Sequence, residues 1–316
     1  MSVFTPLQRE ELEVFLAPYG LGRLHTFEGI AAGSENSNFF ISLEQGEYVL
    51  TLIERGPSQD LPFFIELLDV LHRAGLPVPY ALRTDRGEAL RTLAQKPALL
   101  QPRLAGKHIA SPNAHHCAEV GQLLARLHLA TRDNILERRS DRGLDWMMQE
   151  GPVQALGVSQ DQLPLLRDSL VELAELKPKI LALPRANLHA DLFRDNALFE
   201  GSHLTGVIDF YNACSGPMLY DIAIAVNDWC SHPNGEIDET RCQALLAAYS
   251  SQRRFTPAEA ELWRPVLRVA CVRFWLSRLI AAQKFAGQPV LVKDPDEFHR
   301  LLAARQHCHS ALPFAF

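Results

Sequence analysis

Apolar residues follow two rhythms along the chain, and the rhythm changes about a third of the way in. Residues 24–30, 38–43 and 47–54 form short runs dense in Phe, Ile, Val and Leu, which predict strands. Glu44-Gln45-Gly46 is a hairpin-sized join between the last two. Three further runs, at 80–84, 89–94 and 97–101, predict the rest of a small antiparallel sheet, with Asp85-Arg86-Gly87 as a turn. Helical spacing appears first at 5–17, where Thr5-Pro6-Leu7-Gln8 has the form of a capping box. It returns at 60–74, where Leu61, Phe64, Ile65, Leu68 and Leu71 make a stripe closed by Gly75.

Beyond residue 106 the helical period dominates. Ser111-Pro112 predicts the start of a long helix to about residue 129, with its stripe through Ala118, Gly121, Leu124, Ala125 and His128. Further helices are predicted over 161–181, 219–231, 238–251, 257–285 and 295–307. Thr256-Pro257-Ala258-Glu259 and Asp294-Pro295-Asp296-Glu297 are N-terminal signatures for the last two, and Pro265 predicts a kink. A short strand–turn–strand at 197–199 and 205–210, around Glu200-Gly201-Ser202, interrupts the helices. The expectation is an α+β, two-lobe chain: a strand-rich N-terminal lobe over 1–101, a hinge at 102–106 and a helical lobe over 107–316, with a cleft between the lobes.

Composition fits that size of core: 47% of the 316 residues are apolar and 22% charged. The net charge is −6 and the pI about 6.1. No basic footprint for nucleic acid is present, and a small-molecule partner is expected. Six scattered cysteines with no C-x-x-C pair read as reduced thiols. Arg9, Glu10, Glu11 and Glu13 stand where a signal peptide needs an apolar core, and Asp209 and Asp221 break the apolar run at 207–226. A soluble, cytoplasmic protein is expected, with no membrane and no nucleic-acid partner. His307-Cys308-His309 does not make a closed metal site by itself.

The chemistry concentrates in Leu188-His189-Ala190-Asp191-Leu192-Phe193-Arg194-Asp195-Asn196, which has the H-x-D-x-x-x-x-N spacing of a kinase catalytic loop. After a short hairpin follows Val207-Ile208-Asp209-Phe210, an apolar-apolar-Asp-Phe where a kinase holds its metal. Phosphoryl transfer needs one carboxylate facing the attacking hydroxyl, and a second carboxylate with an amide oxygen to hold Mg²⁺ over the polyphosphate. Asp191 is therefore the candidate base, and Asn196 and Asp209 the candidate metal ligands. His189 is expected to pack and hold the loop. Between two predicted strands, Gly33, Ser34, Glu35, Asn36, Ser37 and Asn38 are small and polar, suited to presenting N–H groups to phosphates.

This loop resembles that of the aminoglycoside phosphotransferase/choline kinase superfamily, within the protein-kinase-like fold, whose motif reads H-G-D-x-x-x-x-N; Ala190 stands where that family usually has Gly. Gly216-Pro217-Met218-Leu219-Tyr220-Asp221-Ile222-Ala223 is similar to the helix start that follows the family's metal-binding Asp, which implies that Asp221 holds the loop backbone from below. Gly121 to His128 resembles the family's first long C-lobe helix, with His128 as a core residue. The resemblance implies ATP and Mg²⁺ as cofactors, with Gln101 and Arg103 in or beside the connector near the nucleotide. It also implies a Lys in the strand 48–53, but this chain has Thr51, so a candidate partner at Glu66 has no lysine to pair with. Val49-Leu50-Thr51-Leu52 resembles the homoserine kinases of this superfamily, as do residues 188–199, Ile208-Asp209-Phe210-Tyr211, Asn227-Asp228-Trp229-Cys230 and Arg273-Phe274-Trp275-Leu276-Ser277-Arg278-Leu279. That branch implies a homoserine acceptor and a step of threonine biosynthesis.

Homoserine is a small zwitterion, so its site needs a cation for the carboxylate. Arg273 or Arg278 could supply it as a two-pronged donor. Asn36, Tyr211, Asn212 and Asp228 are candidates for the polar remainder. Two alternatives stay open: another hydroxylated amine as acceptor, such as an aminoglycoside, choline or ethanolamine, or a nucleotide-binding scaffold without catalysis, suggested by Thr51.

Overall fold

A computed structural model describes residues 4–30, 36–54, 58–287 and 292–313. The chain divides into two compact units, Met1–Gly106 with Thr205–Ile208, and Lys107–Leu204 with Asp209–Phe316.

The first unit contains α1 (Arg9–Leu16), β1 (Leu24–Gly29), β2 (Ser37–Leu43), β3 (Gly46–Leu52), α2 (Leu61–Arg73), β4 (Arg91–Leu93) and β5 (Lys96–Pro102). The sheet order is β1-β2-β3-β5-β4, antiparallel throughout. The period-2 alternation in β2 sends Phe39, Ile41 and Leu43 into a core with Phe15 and Leu16 of α1 and Leu50, Leu52 and Leu100 of the neighbouring strands. Two expectations are corrected here. The helix begins four residues after Thr5, with Gln8 as an uncapped N-cap, because the Thr5 hydroxyl instead accepts from Lys96 Nζ at 2.6 Å. The stretch 80–84 is not a strand: Leu82 N–H reaches Leu100 O at 2.8 Å, but the neighbouring Pro77 and Pro79 have no N–H to extend a ladder.

Beyond Gly106, α3 (Ala114–Thr131), α4 (Leu144–Gln154) and α5 (Leu163–Leu181) precede the strands β6 (Arg185–Leu188), β7 (Ala197–Glu200), β8 (His203–Val207) and β9 (Cys214–Pro217). The helices α6 (Met218–Trp229), α7 (Glu239–Ser250), α8 (Pro257–Lys284) and α9 (Pro295–Gln306) follow. The cap of α3 is Asn113 rather than Ser111. Its side chain accepts from the His115 and His116 N–H groups while His116 Nδ1 accepts from the Asn113 N–H, a reciprocal box two residues beyond the cap expected at Ser111. Gly121 lets α3 and α7 meet backbone to backbone, since a Cβ there would lie 2.2 Å from the Leu245 carbonyl oxygen. Trp229, Trp263 and Trp275 are core residues, each at most 1% exposed.

The helix α8 keeps its Thr256–Glu259 capping box and runs through Pro265 without ending. The sequence pattern did not reveal α4, whose Pro152 breaks the helical rhythm, nor the four-residue strands β6 and β9, which pair antiparallel from Arg185↔Pro217 to Leu188↔Cys214. These two strands frame the candidate loop, because β6 delivers the chain to Asp191 and β9 leads into α6. Among the described residues, no helix is long and apolar enough to cross a membrane.

Candidate active site

The chain leaves β6 through His189 and Ala190, and Ala190 takes a left-handed backbone, φ +61°. A side chain in that region costs about 1–2 kcal/mol, so something must hold the turn. Asp221, in the first turn of α6 and fully buried, accepts from the N–H groups of His189 at 2.9 Å and Ala190 at 2.8 Å. The carboxylate is also met by His128 Nε2 at 3.2 Å, whose other nitrogen faces the Tyr249 hydroxyl at 2.9 Å. Burial pushes the Asp221 carboxyl up, but the hydrogen bond and charge of His128, with those from His189, outweigh it and hold it below the usual range. This is the loop anchor that the sequence implied.

Further along, the Asp191 N–H donates to His189 Nδ1 at 3.2 Å, and the His189 ring lies 4.5 Å from Phe210. Asn196 Nδ2 donates to the Asp191 carbonyl oxygen at 2.8 Å, closing a 3₁₀ turn over Arg194–Asn196. Arg194 clasps Asp228: its main-chain N–H and Nε donate to Oδ2 at 2.7 and 3.2 Å, and Nη2 donates to Oδ1 at 3.2 Å. Burial still pushes the Asp228 carboxyl up against the charge of Arg194. Trp229 Nε1 donates to the Leu192 carbonyl at 3.0 Å, so α6 holds the loop at three places.

The Asp191 side chain is 19% exposed and faces two groups from outside the loop. Asn212 Nδ2 donates to its Oδ2 at 3.0 Å, and Arg273 Nη1 lies 3.7 Å from its Oδ1. Arg273 Nη2 donates to Asn212 Oδ1 at 3.1 Å, and the guanidinium lies 3.8 Å over the Phe274 ring. Burial pushes the Asp191 carboxyl up to about 6, with Arg273 opposing and Asp195 adding to the rise. Burial likewise draws Arg273 below its ordinary value, with Asp191 as the chief opposing charge. Asp209 has a left-handed backbone, φ +62° and ψ +64°, and opens the short turn Phe210–Asn212 that carries Tyr211 and Asn212.

Other candidates are engaged elsewhere. Arg278 donates to the Asp294 carbonyl at 2.8 Å and pairs with Glu297 at 2.5 Å, so of the two candidate arginines it is Arg273 that meets Asp191. Asp228 serves Arg194, as described. In the first unit, Thr51 is buried and donates to Asn38 Oδ1 at 2.7 Å, and Asn36 Oδ1 accepts from the Glu54 N–H at 3.1 Å. Ser37 Oγ accepts from the Phe4 and Thr5 N–H groups. Gln101 donates to the Pro79 carbonyl, while Arg103 lies 3.6 Å from Glu47 and 4.0 Å over Phe40. Glu66 is exposed on α2. Gly33, Ser34 and Glu35 lie outside the described residues. Sequence spacing did not reveal Arg142, Lys293 and Tyr220, whose charge or hydroxyl bears on Asp191 or Arg273 from distant elements. Nothing in their local patterns marks them.

The donor chemistry at this loop is of the kind a hard divalent ion takes. Asn196 uses its amide nitrogen on Asp191, which leaves its carbonyl oxygen as the acceptor, and Asp209 brings a carboxylate. Two hard oxygens completed by phosphates is the pattern Mg²⁺ prefers over a cage made only of protein. Among the described residues no three His, Cys, Asp or Glu side chains form such a cage.

The fold and this loop define a phosphotransferase. The sequence profile of the phosphotransferase enzyme family matches residues 26–263, and the chain belongs to that family. It is 67% identical to a homoserine kinase of Pseudomonas aeruginosa (strain LESB58), over 100% of both chains. It is 41% identical to a homoserine kinase of Methylobacillus flagellatus, covering 96% of this chain and 94% of the relative. An amicoumacin kinase structure superposes with a TM-score of 0.68 at 16% identity, covering 95% of this chain and 93% of that one. The fold is protein-kinase-like.

Proposed function

We propose that the chain transfers the terminal phosphoryl group of ATP to the hydroxyl of L-homoserine, giving O-phospho-L-homoserine for threonine biosynthesis. The observation that carries this reading is the full-length identity of 67% to a homoserine kinase. The site chemistry supports it: a partly exposed carboxylate and a buried guanidinium stand side by side, one able to take a proton from an alcohol and the other to hold a carboxylate.

Asp191 orients the acceptor hydroxyl and takes its proton as the oxygen attacks phosphorus in line with the leaving oxygen of ADP. Its raised carboxyl is suited to this, since a base close to neutral gives up less in proton affinity. Arg273 holds the acceptor carboxylate, and its contact with Phe274 limits where the guanidinium can turn. Asn196 and Asp209 would hold Mg²⁺, which when bound neutralises charge on the phosphates. Six free cysteines, five of them buried, suit a reducing compartment, and the cytoplasm is the proposed location.

The test is ADP release with ATP and Mg²⁺ against a panel of homoserine, choline, ethanolamine and an aminoglycoside. Turnover that depends on homoserine is expected. Turnover on one of the other acceptors alone, or nucleotide binding with no turnover on any, would overturn the reading.

A further inference from the structure

The proposed chemistry leaves Asn212 unused, although it is the residue that joins Asp191 to Arg273. We infer that Asn212 is a positioning residue: a spacer that keeps Arg273 from closing onto Asp191 as a forked ion pair, and so leaves the guanidinium free for the acceptor carboxylate and the base free for the hydroxyl.

Arginine and carboxylate normally meet through two parallel hydrogen bonds at about 2.7–2.9 Å. Here the guanidinium is 3% exposed and has Asp191 beside it, yet Nη1 stops 3.7 Å from Oδ1. The second prong, Nη2, goes to Asn212 Oδ1 at 3.1 Å, and Asn212 Nδ2 takes the other carboxylate oxygen at 3.0 Å. A neutral amide is suited to this bridge because it carries a donor on one atom and an acceptor on the other. Its orientation follows from its neighbours, since the reversed amide would set NH₂ against the guanidinium and oxygen against the carboxylate. The tight turn opened by Asp209 and closed by the Ala213 N–H on Phe210 O at 2.8 Å fixes the backbone beneath it.

A further polar atom is waiting nearby. The Tyr220 hydroxyl is buried with no hydrogen-bond partner among the described residues, and Arg273 is the charge that acts on it most. A buried unpaired hydroxyl is costly. Lys293 is paired with Asp195 at 2.6 Å. Arg142 is exposed, which leaves Arg273 as the buried cation at the base.

The inference rests on Asp191 being the base, and the experiment separates the two. Steady-state kinetics with homoserine and ATP are measured for the wild-type chain and for Asp191→Asn, Asn212→Ala, Asn212→Asp, Arg273→Met and the Asn212→Ala/Arg273→Met double variant, each checked by thermal melting. Asn212→Ala is expected to lower kcat by about 10–100-fold, the scale of a misplaced reacting group. It is also expected to raise the homoserine KM several-fold while leaving the ATP KM within about two-fold. Adding Arg273→Met should restore part of the lost kcat, because no cation remains to close on the base. Asn212→Asp, which keeps the shape but pairs with Arg273, should raise the homoserine KM even if the alanine variant fails to fold. A double variant whose kcat loss is the product of the single losses overturns the spacer role. So does an Asn212→Ala chain with wild-type kinetics beside an inactive Asp191→Asn. Wild-type turnover in Asp191→Asn overturns the base assignment itself.

Discussion

Asp191 and Asp221 are both carboxylates taken out of water, and one lies in the stretch of chain that the other holds. Asp221 collects two main-chain N–H groups and a histidine, and these donors outweigh burial and hold its carboxyl low. Asp191 has one amide donor and a guanidinium that stops short, and burial pushes its carboxyl up to about 6. Asp221 is the more deeply buried of the two, so it is the number of donors and not depth that holds its carboxyl low. The carboxylate that anchors the loop has its hydrogen bonds completed, and the one proposed as proton acceptor has them left incomplete.

The strongest way to break this contrast is to exchange the roles by mutation. Asp191→Asn should lower turnover by about 10²–10⁴-fold while leaving the fold intact, read by steady-state kinetics and circular dichroism. Asp221→Ala should instead cost about 3–5 kcal/mol of stability, because it strips a buried cluster of its charge and leaves two main-chain donors unpaired. The urea midpoint measures it, and an unchanged midpoint would refute the anchor.

The pH dependence should have opposite signs at the two positions. Asp221 has a lowered carboxyl, so its stabilisation is present above the unfolded value of about 3.9 and is lost as pH falls through the lower folded value. Urea midpoints between pH 6 and 3 should therefore decline less steeply in Asp221→Asn. Asp191 has a raised carboxyl, so the folded state favours the protonated form and stability is lost as pH rises through about 6. In the metal-free protein, Asp191→Asn should then be the more stable chain at pH 8, by on the order of 3 kcal/mol. That advantage should vanish by about pH 4.

The smallest effect is expected at Ala190. Glycine there would relieve about 1 kcal/mol of left-handed strain, and its own flexibility in the unfolded chain would take back about 0.4–1 kcal/mol. The urea midpoint should move little and turnover should stay near wild type. A large loss of stability would mean that the alanine methyl, not the turn, is what matters.

Much of the candidate loop is legible in the sequence because its pattern is local. The spacing of His189, Asp191 and Asn196 lies within one short stretch, and Asp209 follows after a hairpin. The long strands and the helices carrying clear stripes were legible for the same reason. Reading failed where the partner was far away in sequence. Thr5 looked like a cap, but Lys96 takes its hydroxyl, and Ser111 looked like one too, but Asn113 finds a reciprocal partner in His116. Arg273 and Arg278 looked alike along α8, and only Asn212 and Glu297, on other segments, tell them apart. The strands β6 and β9 are too short to carry a period, and Pro152 disguises α4.

The grip of α6 on the loop has a consequence of scale. Asp221 and Asp228 are seven residues apart, two turns on one face of the helix, so they act like two pegs set about 10.5 Å apart. One peg takes His189 and Ala190, and the other takes Arg194. Adding or deleting a single residue between them would swing the second peg about 100° around the axis, out of reach of its arginine. The loop is thus cut to a gauge, and redesign that keeps both pegs engaged has to leave its length alone.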